Sequence, residues 1–278
     1  MKMFNQLAAA ACGLVLASSA SAAVINYTDF SSVSGLTLNG NAAQAGNALR
    51  VTPANYGQSG SAFSTSTVSL ASNASFSTFF QFQFTNPGGA HDGLGLGADG
   101  LVFVVQTVSN NVGGSGGGIG YLGIGNSVGI EFDTWNNGGG DNFSSNHIGI
   151  DVNGSVSSIM LAEVTEADMN NGDIWSVWVD YNGATNLLEA RMNRSGVRPT
   201  SAILSLTRDL ALDLGTTNAF VGFTSGTGAA FANPDVLAWT LEDRFAPIGG
   251  GNSVPEPGSL LLLGTGLALA RFMRKRSS

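Results

Sequence analysis

The residues with the clearest capacity for chemistry lie between positions 131 and 147. Glu131 and Asp133 alternate with apolar residues, and side chains two positions apart point to the same face of a β-strand. Two carboxylates on one face favour a bound cation. Asp141 and His147 follow a turn-forming Asn-Asn-Gly-Gly-Gly sequence that can fold back over the strand end. The segment therefore predicts a metal site.

Two neighbouring cations fit this set of donors. Calcium prefers about six to eight oxygen ligands, whereas manganese-like ions accept carboxylates together with an imidazole. The expected calcium ligands, completed by water, are Asp133, Asn137, Asp141 and the carbonyl oxygen of Trp135. The expected ligands of Mn²⁺ or another transition metal ion are Glu131, Asp133, Asp141 and His147. Asp133 and Asp141 belong to both sets, so we expect them to bridge the two ions.

Other kinds of site explain these residues less well. An EF-hand loop beginning at Asp133 would place Trp135 at its third position and Ser144 where a bidentate Glu is needed. The catalytic zinc motif H-E-x-x-H is absent from the sequence. A solvated turn beside an unrelated histidine stays open as the simplest alternative.

A glycoside hydrolase is the main catalytic alternative, because such enzymes place two carboxylates around the scissile bond. Glu131 and Asp133 superficially meet that requirement. A retaining site on this strand would also need a Glu about three residues beyond Asp133 as general acid, but Trp135 and two asparagines follow. A metal-bound Glu131 would be held ionised and occupied. We therefore expect no catalysis.

The elements that must position these residues are β-strands. Residues 23–250 show little helical periodicity, and alternating apolar and polar runs recur between Gly, Asn and Ser clusters. Strands are predicted at residues 75–84, 100–108, 127–135, 147–152, 155–162, 174–181, 187–193, 219–224 and 236–241. This number of strands suits an all-β sandwich of two antiparallel sheets, with apolar side chains between them.

The beginning of the chain is predicted to be a secretory signal peptide, residues 1–22. It combines the basic Lys2, an apolar run and an Ala-Ser-Ala ending, as cleaved signals do. The only cysteine, Cys12, lies within it, so a domain at residues 23–245 would contain neither thiol nor disulfide. Residues 246–253 are rich in glycine and are predicted to be a linker.

Residues 254–278 resemble the PEP-CTERM sorting signal of Gram-negative bacteria. They contain Val-Pro-Glu-Pro at 254–257, then an apolar segment and a basic end. The apolar run is short for a permanent membrane span, which needs about 20 residues, so we expect only transient membrane contact. The resemblance implies processing by an exosortase-type membrane enzyme. It also implies export to the extracellular space or the outer cell surface of a Gram-negative bacterium.

The charge of the chain excludes one class of partner. There are 11 basic and 19 acidic residues, and five of the basic ones lie in the two predicted signals. The central region is therefore strongly acidic, which repels nucleic acid and attracts cations. We expect no nucleic-acid partner.

Residues 128–137, with Asp141 and residues 147–153, resemble the metal segment of the legume-type (L-type) lectin family. Further stretches resemble this family in the same order, namely residues 98–103, 120–124, 221–224 and 235–239. The likeness covers nearly the whole region between the two predicted signals. It implies a concanavalin A-like jelly roll and calcium-dependent binding of a glycan or exopolysaccharide.

The resemblance also implies a set of sugar-binding residues: Asp99, Gly120, Trp135, Asn137 and Ala230. Asp99, after a cis peptide bond, would accept hydrogen bonds from two sugar hydroxyls, and Asn137 would bind both calcium and sugar. Trp135 would stack on the apolar face of a pyranose. The backbone around Gly120 would donate a further hydrogen bond. Ala230 lies in the last sugar loop, which does not identify the monosaccharide.

Two matters stay open at the level of sequence. The sorting tail also suits a structural matrix or surface-adhesion protein without strong sugar binding. Homo-oligomerisation is open as well, because L-type lectins associate through edge strands or sheet backs and no residue here selects one arrangement.

Overall fold

The computed structural model describes residues 24–114 and 116–249, and its regular structure is almost entirely β-strand. One sheet, called the back sheet, contains β1 (Ile25–Tyr27), β3 (Ala43–Ala45), β4 (Ala48–Arg50), β7 (Phe76–Gly89), β12 (Trp175–Asn182), β13 (Leu187–Asn193), β14 (Leu204–Thr207) and β16 (Ala230–Glu242). The other, called the front sheet, contains β2 (Leu36–Gly40), β5 (Ser59–Ser64), β6 (Val68–Ser69), β8 (Gly100–Gln106), β9 (Ser127–Asp133), β10 (His147–Val152), β11 (Met160–Glu163) and β15 (Asn218–Gly226). The helical segments are Ala71–Ala74, Leu210–Leu214 and the 3₁₀ turns Gly116–Gly118, Gly138–Asp141 and Met169–Asn171.

The strand order brings distant parts of the chain together. The back sheet runs β14-β13-β12-β7-β16-β4-β3, with β1 also paired to β16. The front sheet runs β11-β10-β9-β8-β15-β5-β2, with β6 also paired to β15. Neighbouring strands are antiparallel, including the long pairings of β7 with β16 and of β8 with β15. The predicted all-β sandwich of two antiparallel sheets is confirmed.

Aromatic side chains fill the space between the two sheets. Phe80 and Phe82, on alternate positions of β7, pack on Phe132 of β9 with ring centroids 5.8 and 4.9 Å apart. Since Phe132 faces this core, its neighbours Glu131 and Asp133 must point to the opposite face of β9. Core packing thus fixes the direction of the two carboxylates.

A second, smaller core lies on the outer face of the front sheet. Its buried members are Phe63, Val102, Val104, Ile119, Tyr121 and Ile124. The glycine-rich segment after β8 supplies Ile119, Tyr121 and Ile124, so it packs on the sheet. The Tyr121 hydroxyl lies 2.8 Å from the Ser127 hydroxyl, and both are buried. This packing holds the turn Gly116–Gly118 over one end of the front sheet.

The two ends differ in what the structure describes. Residues 246–249, the start of the predicted linker, lie on the back sheet, where the Ala246 N–H donates to Ser77 Oγ at 3.0 Å. The predicted signal peptide and sorting tail lie outside the described residues. Within the described part of the chain, no helix has the length and apolar character needed to cross a membrane.

Candidate metal and sugar site

The candidate metal cluster forms where β9 and β10 pair. In their register Asp133 lies opposite His147, and Glu131 lies opposite Gly149. Glu131, Asp133 and His147 are all buried, and each offers a ligand atom within 4.8 Å of the others. The structure therefore brings three of the predicted ligands together around a space for one cation.

The absence of a side chain at Gly149 leaves space for the Glu131 carboxylate. A Cβ at position 149 would collide with both Glu131 Oε1 and Ser158 Oγ. The Ser158 hydroxyl donates to Glu131 Oε1 and lies 2.9 Å from Asp151 Oδ1. The sequence prediction missed Asp151 and Ser158. Strand alternation could have found Asp151, which shares a face of β10 with Gly149. Ser158 lies in the irregular segment between β10 and β11 and carries no such signal.

Unpaired polar atoms show that the cluster suits a cation. His147 Nε2 lies 3.3 Å from Glu131 Oε1. Glu131 Oε2 and His147 Nδ1 are buried and lack hydrogen-bond partners among the described residues. Buried polar atoms without partners are costly, and metal coordination is one way to satisfy them. Carboxylates with one imidazole fit Mn²⁺ or a similar ion, and the oxygens fit Ca²⁺.

The electrostatics of the cluster also favour a cation. Burial raises the pKa of Asp133 well above its ordinary value of 3.8, and the nearby Glu131 raises it further. Burial is also the main cause that raises the pKa of Asp141 and of Asp151. Each carboxylate is therefore difficult to ionise in this environment, and a positive ion would reverse that effect.

The loop after β9 folds back towards the cluster. The buried Asp141 accepts the backbone N–H of Asn137 at 2.6 Å, and Asp133 accepts that of Trp135 at 2.7 Å. His147 and Glu131 are near enough to Asp141 to influence its pKa. The five side chains and the Trp135 carbonyl named for calcium and the transition metal thus lie in one folded segment.

Asp99 is linked to this segment through the backbone. The Ala98–Asp99 peptide bond is cis, as the sequence resemblance implied. The Thr134 N–H, next to Asp133, donates to the Asp99 carbonyl oxygen at 3.0 Å. The Asp99 side chain is only 4% exposed, and Oδ2 has no partner within the described structure. Burial raises the pKa of Asp99 to about 7.

Three loops meet around Asp99. The Asp99 N–H donates to the Gly226 carbonyl oxygen at 3.2 Å, and a Cβ on Gly228 would lie 3.8 Å from Asp99 Oδ2. A Cβ on Gly117 would lie 3.0 Å from Oδ1 of the exposed Asn137. Asp99, Asn137, the Gly116–Gly118 turn and the turn at 226–229 thus lie close together.

The other predicted sugar contacts occupy different environments. Trp135 is partly buried, whereas Ala230 is buried in β16 opposite Gly89. Gly120 packs on β15, because a Cβ there would meet Ser225 backbone atoms at 2.9 Å. Gly117 is the glycine beside Asn137, and its proximity could not be read from the sequence spacing. Sugar contact by Gly120, Trp135 and Ala230 stays a prediction.

Comparisons with known proteins cover nearly the whole chain. The legume lectin domain model matches residues 22–252, and the PEP-CTERM protein-sorting motif matches residues 253–277. The lectin alpha chain of Lablab purpureus is 31% identical over 84% of this chain and 86% of its own length. The L-type lectin-domain containing receptor kinase VIII.1 of Arabidopsis thaliana is 32% identical over 78% of this chain, but the match spans only 29% of that kinase.

Solved structures agree with these matches. The Bauhinia forficata lectin, solved in complex with GalNAc, has a TM-score of 0.66 and 25% identity, covering 78% of this chain and 96% of its own. Lectin II from Ulex europaeus has the same TM-score and identity and covers 78% and 97%. The fold is therefore the legume lectin jelly roll, and the sorting motif implies export to the cell envelope or surface. The chain belongs to the legume lectin family, as a carbohydrate-binding type of domain joined to a PEP-CTERM motif.

Proposed function

We propose that this chain is an exported protein that binds a glycan or exopolysaccharide in a calcium-dependent manner. The observation that carries the proposal is the hydrogen bond from Thr134 to the Asp99 carbonyl. It joins the strand end that carries Asp133 to the carboxylate expected to receive sugar hydroxyls. A change at the metal cluster is therefore expected to move Asp99.

The metal-holding roles follow from the donors in the folded segment. Glu131, Asp133, Asp141 and His147 would hold Mn²⁺ or another transition metal ion. Asp133, Asn137, Asp141 and the Trp135 carbonyl would hold calcium. The ions would supply positive charge that keeps the buried carboxylates ionised. They would also fix the loop after β9 before sugar arrives, which lowers the ordering cost of binding.

The sugar roles belong to the loops that meet around Asp99. Asp99 Oδ2 is a buried acceptor without a partner in the described residues, and a hydrogen bond from a sugar hydroxyl would satisfy it. Asn137 would add an amide group, and Trp135 would offer an aromatic face to pyranose C–H groups. Backbone N–H groups near Gly117 or Gly120 would complete the recognition.

Binding without catalysis is the proposed mode. Glu131 is engaged by His147 and Ser158, so it is poorly placed to act as a nucleophile or general acid. The similarity to receptor kinases does not indicate kinase activity, since this chain matches under a third of their length. The PEP-CTERM match supports processing by an exosortase-type enzyme, with transient membrane contact through the tail, in a Gram-negative bacterium.

A glycan array run with calcium and with a chelator tests the proposal. We expect binding with calcium that the chelator removes. Asp99→Ala should weaken binding about a hundredfold, because it deletes two charge-assisted hydrogen bonds. The same variant should keep its rise in Tm with calcium. GalNAc and galactose, which similar lectins bind in their crystal structures, belong on the array.

Three results would contradict calcium-dependent glycan binding. Equal binding in both conditions would remove the role of calcium. If calcium raises Tm but no glycan binds, the structural matrix or surface-adhesion function replaces it. Release of reducing sugars that is lost in Glu131→Gln would instead indicate a glycoside hydrolase.

A further inference from the structure

An exposed aromatic side chain stands beside the candidate sugar site. Tyr56 is 60% exposed, although large aromatic side chains are usually much more buried. It lies in the loop between β4 and β5, outside every segment predicted to bind metal or sugar. Its ring meets Phe231 of β16 edge to face, with centroids 4.9 Å apart and an interplanar angle of 87°. Phe231 therefore restrains the Tyr56 ring while most of its surface stays open to solvent.

The backbone of this loop is fixed to the turn beside Asp99. The Gly57 N–H donates to the Gly228 carbonyl oxygen at 3.1 Å, and the Thr227 N–H donates to the Gln58 carbonyl oxygen at 3.0 Å. The Thr227 hydroxyl donates to the Asn55 carbonyl oxygen at 2.7 Å. Both residues adjacent to Tyr56 thus bond directly to the 227–228 turn.

The same turn separates Tyr56 from Asp99. Gly228 approaches the Asp99 carboxylate on one side and bonds to Gly57 on the other. A single pyranose held by Asp99 would therefore not also cover Tyr56. A second sugar residue linked to the first can reach across the turn to Tyr56. Gly228 has no side chain that would stand in its way.

The chemistry of the loop favours a neutral, hydroxylated ligand. Residues 51–64 contain no Asp, Glu, Lys or Arg, but they do contain Asn55, Gln58 and several serines. A charged partner would find no opposite charge in this segment. An aromatic face with nearby amides and hydroxyls suits the C–H groups and hydroxyls of a pyranose.

We propose that Tyr56 forms a second sugar subsite, so that this chain prefers an oligosaccharide over the monosaccharide that Asp99 holds. This inference rests on the proposed glycan binding. The rigid ring loses little conformational freedom on binding, which is why a Tyr can contribute much affinity for its size. Loss of such an anchor costs at least about tenfold in affinity.

Binding measurements on three variants test the subsite. The probes are methyl glycosides of mannose, glucose, galactose and N-acetylgalactosamine, and di- and trisaccharides ending in each, all with calcium. We expect an oligosaccharide to bind more tightly than its methyl glycoside. Tyr56→Ala should reduce the affinity for the oligosaccharide about tenfold and leave the affinity for the methyl glycoside unchanged. Tyr56→Phe should keep the higher affinity for the oligosaccharide.

Leu212→Ala is the matched control. Leu212 is 80% exposed in Leu210–Leu214, a segment that contacts Thr107 beyond the end of β8 opposite Asp99. It should bind every probe as the unaltered chain does. Nitration of the unaltered chain, measured at Tyr56 itself by peptide mass spectrometry, gives a readout independent of variant folding. Tyr121 and Tyr181 are fully buried, and the partly buried Tyr27 is measured separately. The oligosaccharide should slow nitration of Tyr56, and the methyl glycoside should not.

The outcomes separate this inference from the function on which it rests. An equal oligosaccharide gain in Tyr56→Ala, or nitration unaffected by the oligosaccharide, overturns the subsite. Methyl glycoside binding without any oligosaccharide gain overturns the subsite and leaves glycan binding intact. Failure of every probe to bind overturns both.

Discussion

Four buried aspartates, Asp99, Asp133, Asp141 and Asp151, connect protonation with metal binding. Burial raises the pKa of each above its ordinary value, and for Asp99 to about 7. Removing water makes the charged carboxylate less favourable, so in the absence of a cation each carboxyl group keeps its proton to a higher pH in the folded chain than in the unfolded chain. A cation favours the ionised form, and metal binding therefore releases protons.

This electrostatic arrangement predicts how stability changes with pH. A carboxyl group with a raised pKa in the folded chain binds more protons there than in the unfolded chain, so the free energy of unfolding falls as pH rises. For Asp99 the window runs from its ordinary pKa of 3.8 to a pKa of about 7. We expect the Tm of chelated protein to fall across this window, and the increase produced by calcium to be largest at its upper end.

Thermal unfolding with chelator and with CaCl₂, at several pH values across the window, measures this effect. Asp99→Asn is the matched control, because it keeps the shape of the side chain and removes its titration. The Tm of the Asp99→Asn variant, measured with chelator, should depend less steeply on pH. A chelated Tm that rises with pH through the window would contradict the burial argument.

At the residue scale, the sequence predicted the groups that strand alternation places on one face. Glu131 and Asp133 share a face because strand alternation requires it, and the structure places His147 beside them. Ser158 was missed, since its contact with Glu131 depends on a turn between β10 and β11. Gly117 approaches Asn137 only because the glycine-rich segment packs on the front sheet.

At the scale of elements, long strands with clear alternation were predicted best. The prediction at 174–181 corresponds to β12, and the prediction at 187–193 matches β13. The prediction at 155–162 was wrong over most of its length, because β11 begins only at Met160 after a turn with left-handed backbone at Asn153. Strands β1 to β6 and β14 were missed. They are short, and pairing with neighbours, which local sequence does not encode, determines them.

The close approach of β9, β10 and the turn before β11 gives a prediction for Gly149→Ala. A methyl group there would collide with Glu131 Oε1 and Ser158 Oγ, so the Glu131 carboxylate must move. We expect at least about tenfold weaker binding of Mn²⁺ and a lower Tm, with a cost of about 1–3 kcal/mol typical of overpacking. Titration calorimetry with Mn²⁺ and thermal unfolding measure the two effects.

Gly139→Ala is the control for this substitution. A Cβ at position 139 would meet only the Phe143 ring, at 4.0 Å, which is an ordinary contact. Gly139 lies in the turn Gly138–Asp141 of the metal loop, so the control also reports whether any methyl group near the cluster disturbs it. If both variants bind Mn²⁺ equally well, the close strand approach does not determine the geometry of Glu131.

At the scale of the whole molecule, the site depends on segments that are far apart in the chain. Asp99 precedes β8, the predicted metal ligands belong to β9, β10 and the loop between them, and the turn at 226–229 connects β15 to β16. The pairing of β8 with both β9 and β15 brings these segments together. The sequence resemblance located the segments, but the contacts among their loops required the folded sheets.

The bond between Thr134 and Asp99 predicts that the proposed metal and sugar sites are coupled. If calcium strengthens glycan binding by some factor, the glycan must strengthen calcium binding by the same factor, because the two binding free energies form a closed cycle. We expect a factor of about tenfold or more, the range usual for coupled sites. Calorimetric titration of calcium with and without the tightest glycan from the array, and of that glycan with and without calcium, gives both factors.

Asp99→Ala should reduce the effect of that glycan on calcium affinity while calcium still binds. Unchanged calcium affinity at saturating glycan would mean that the cluster and Asp99 act independently, and the connection through Thr134 would then have no functional role.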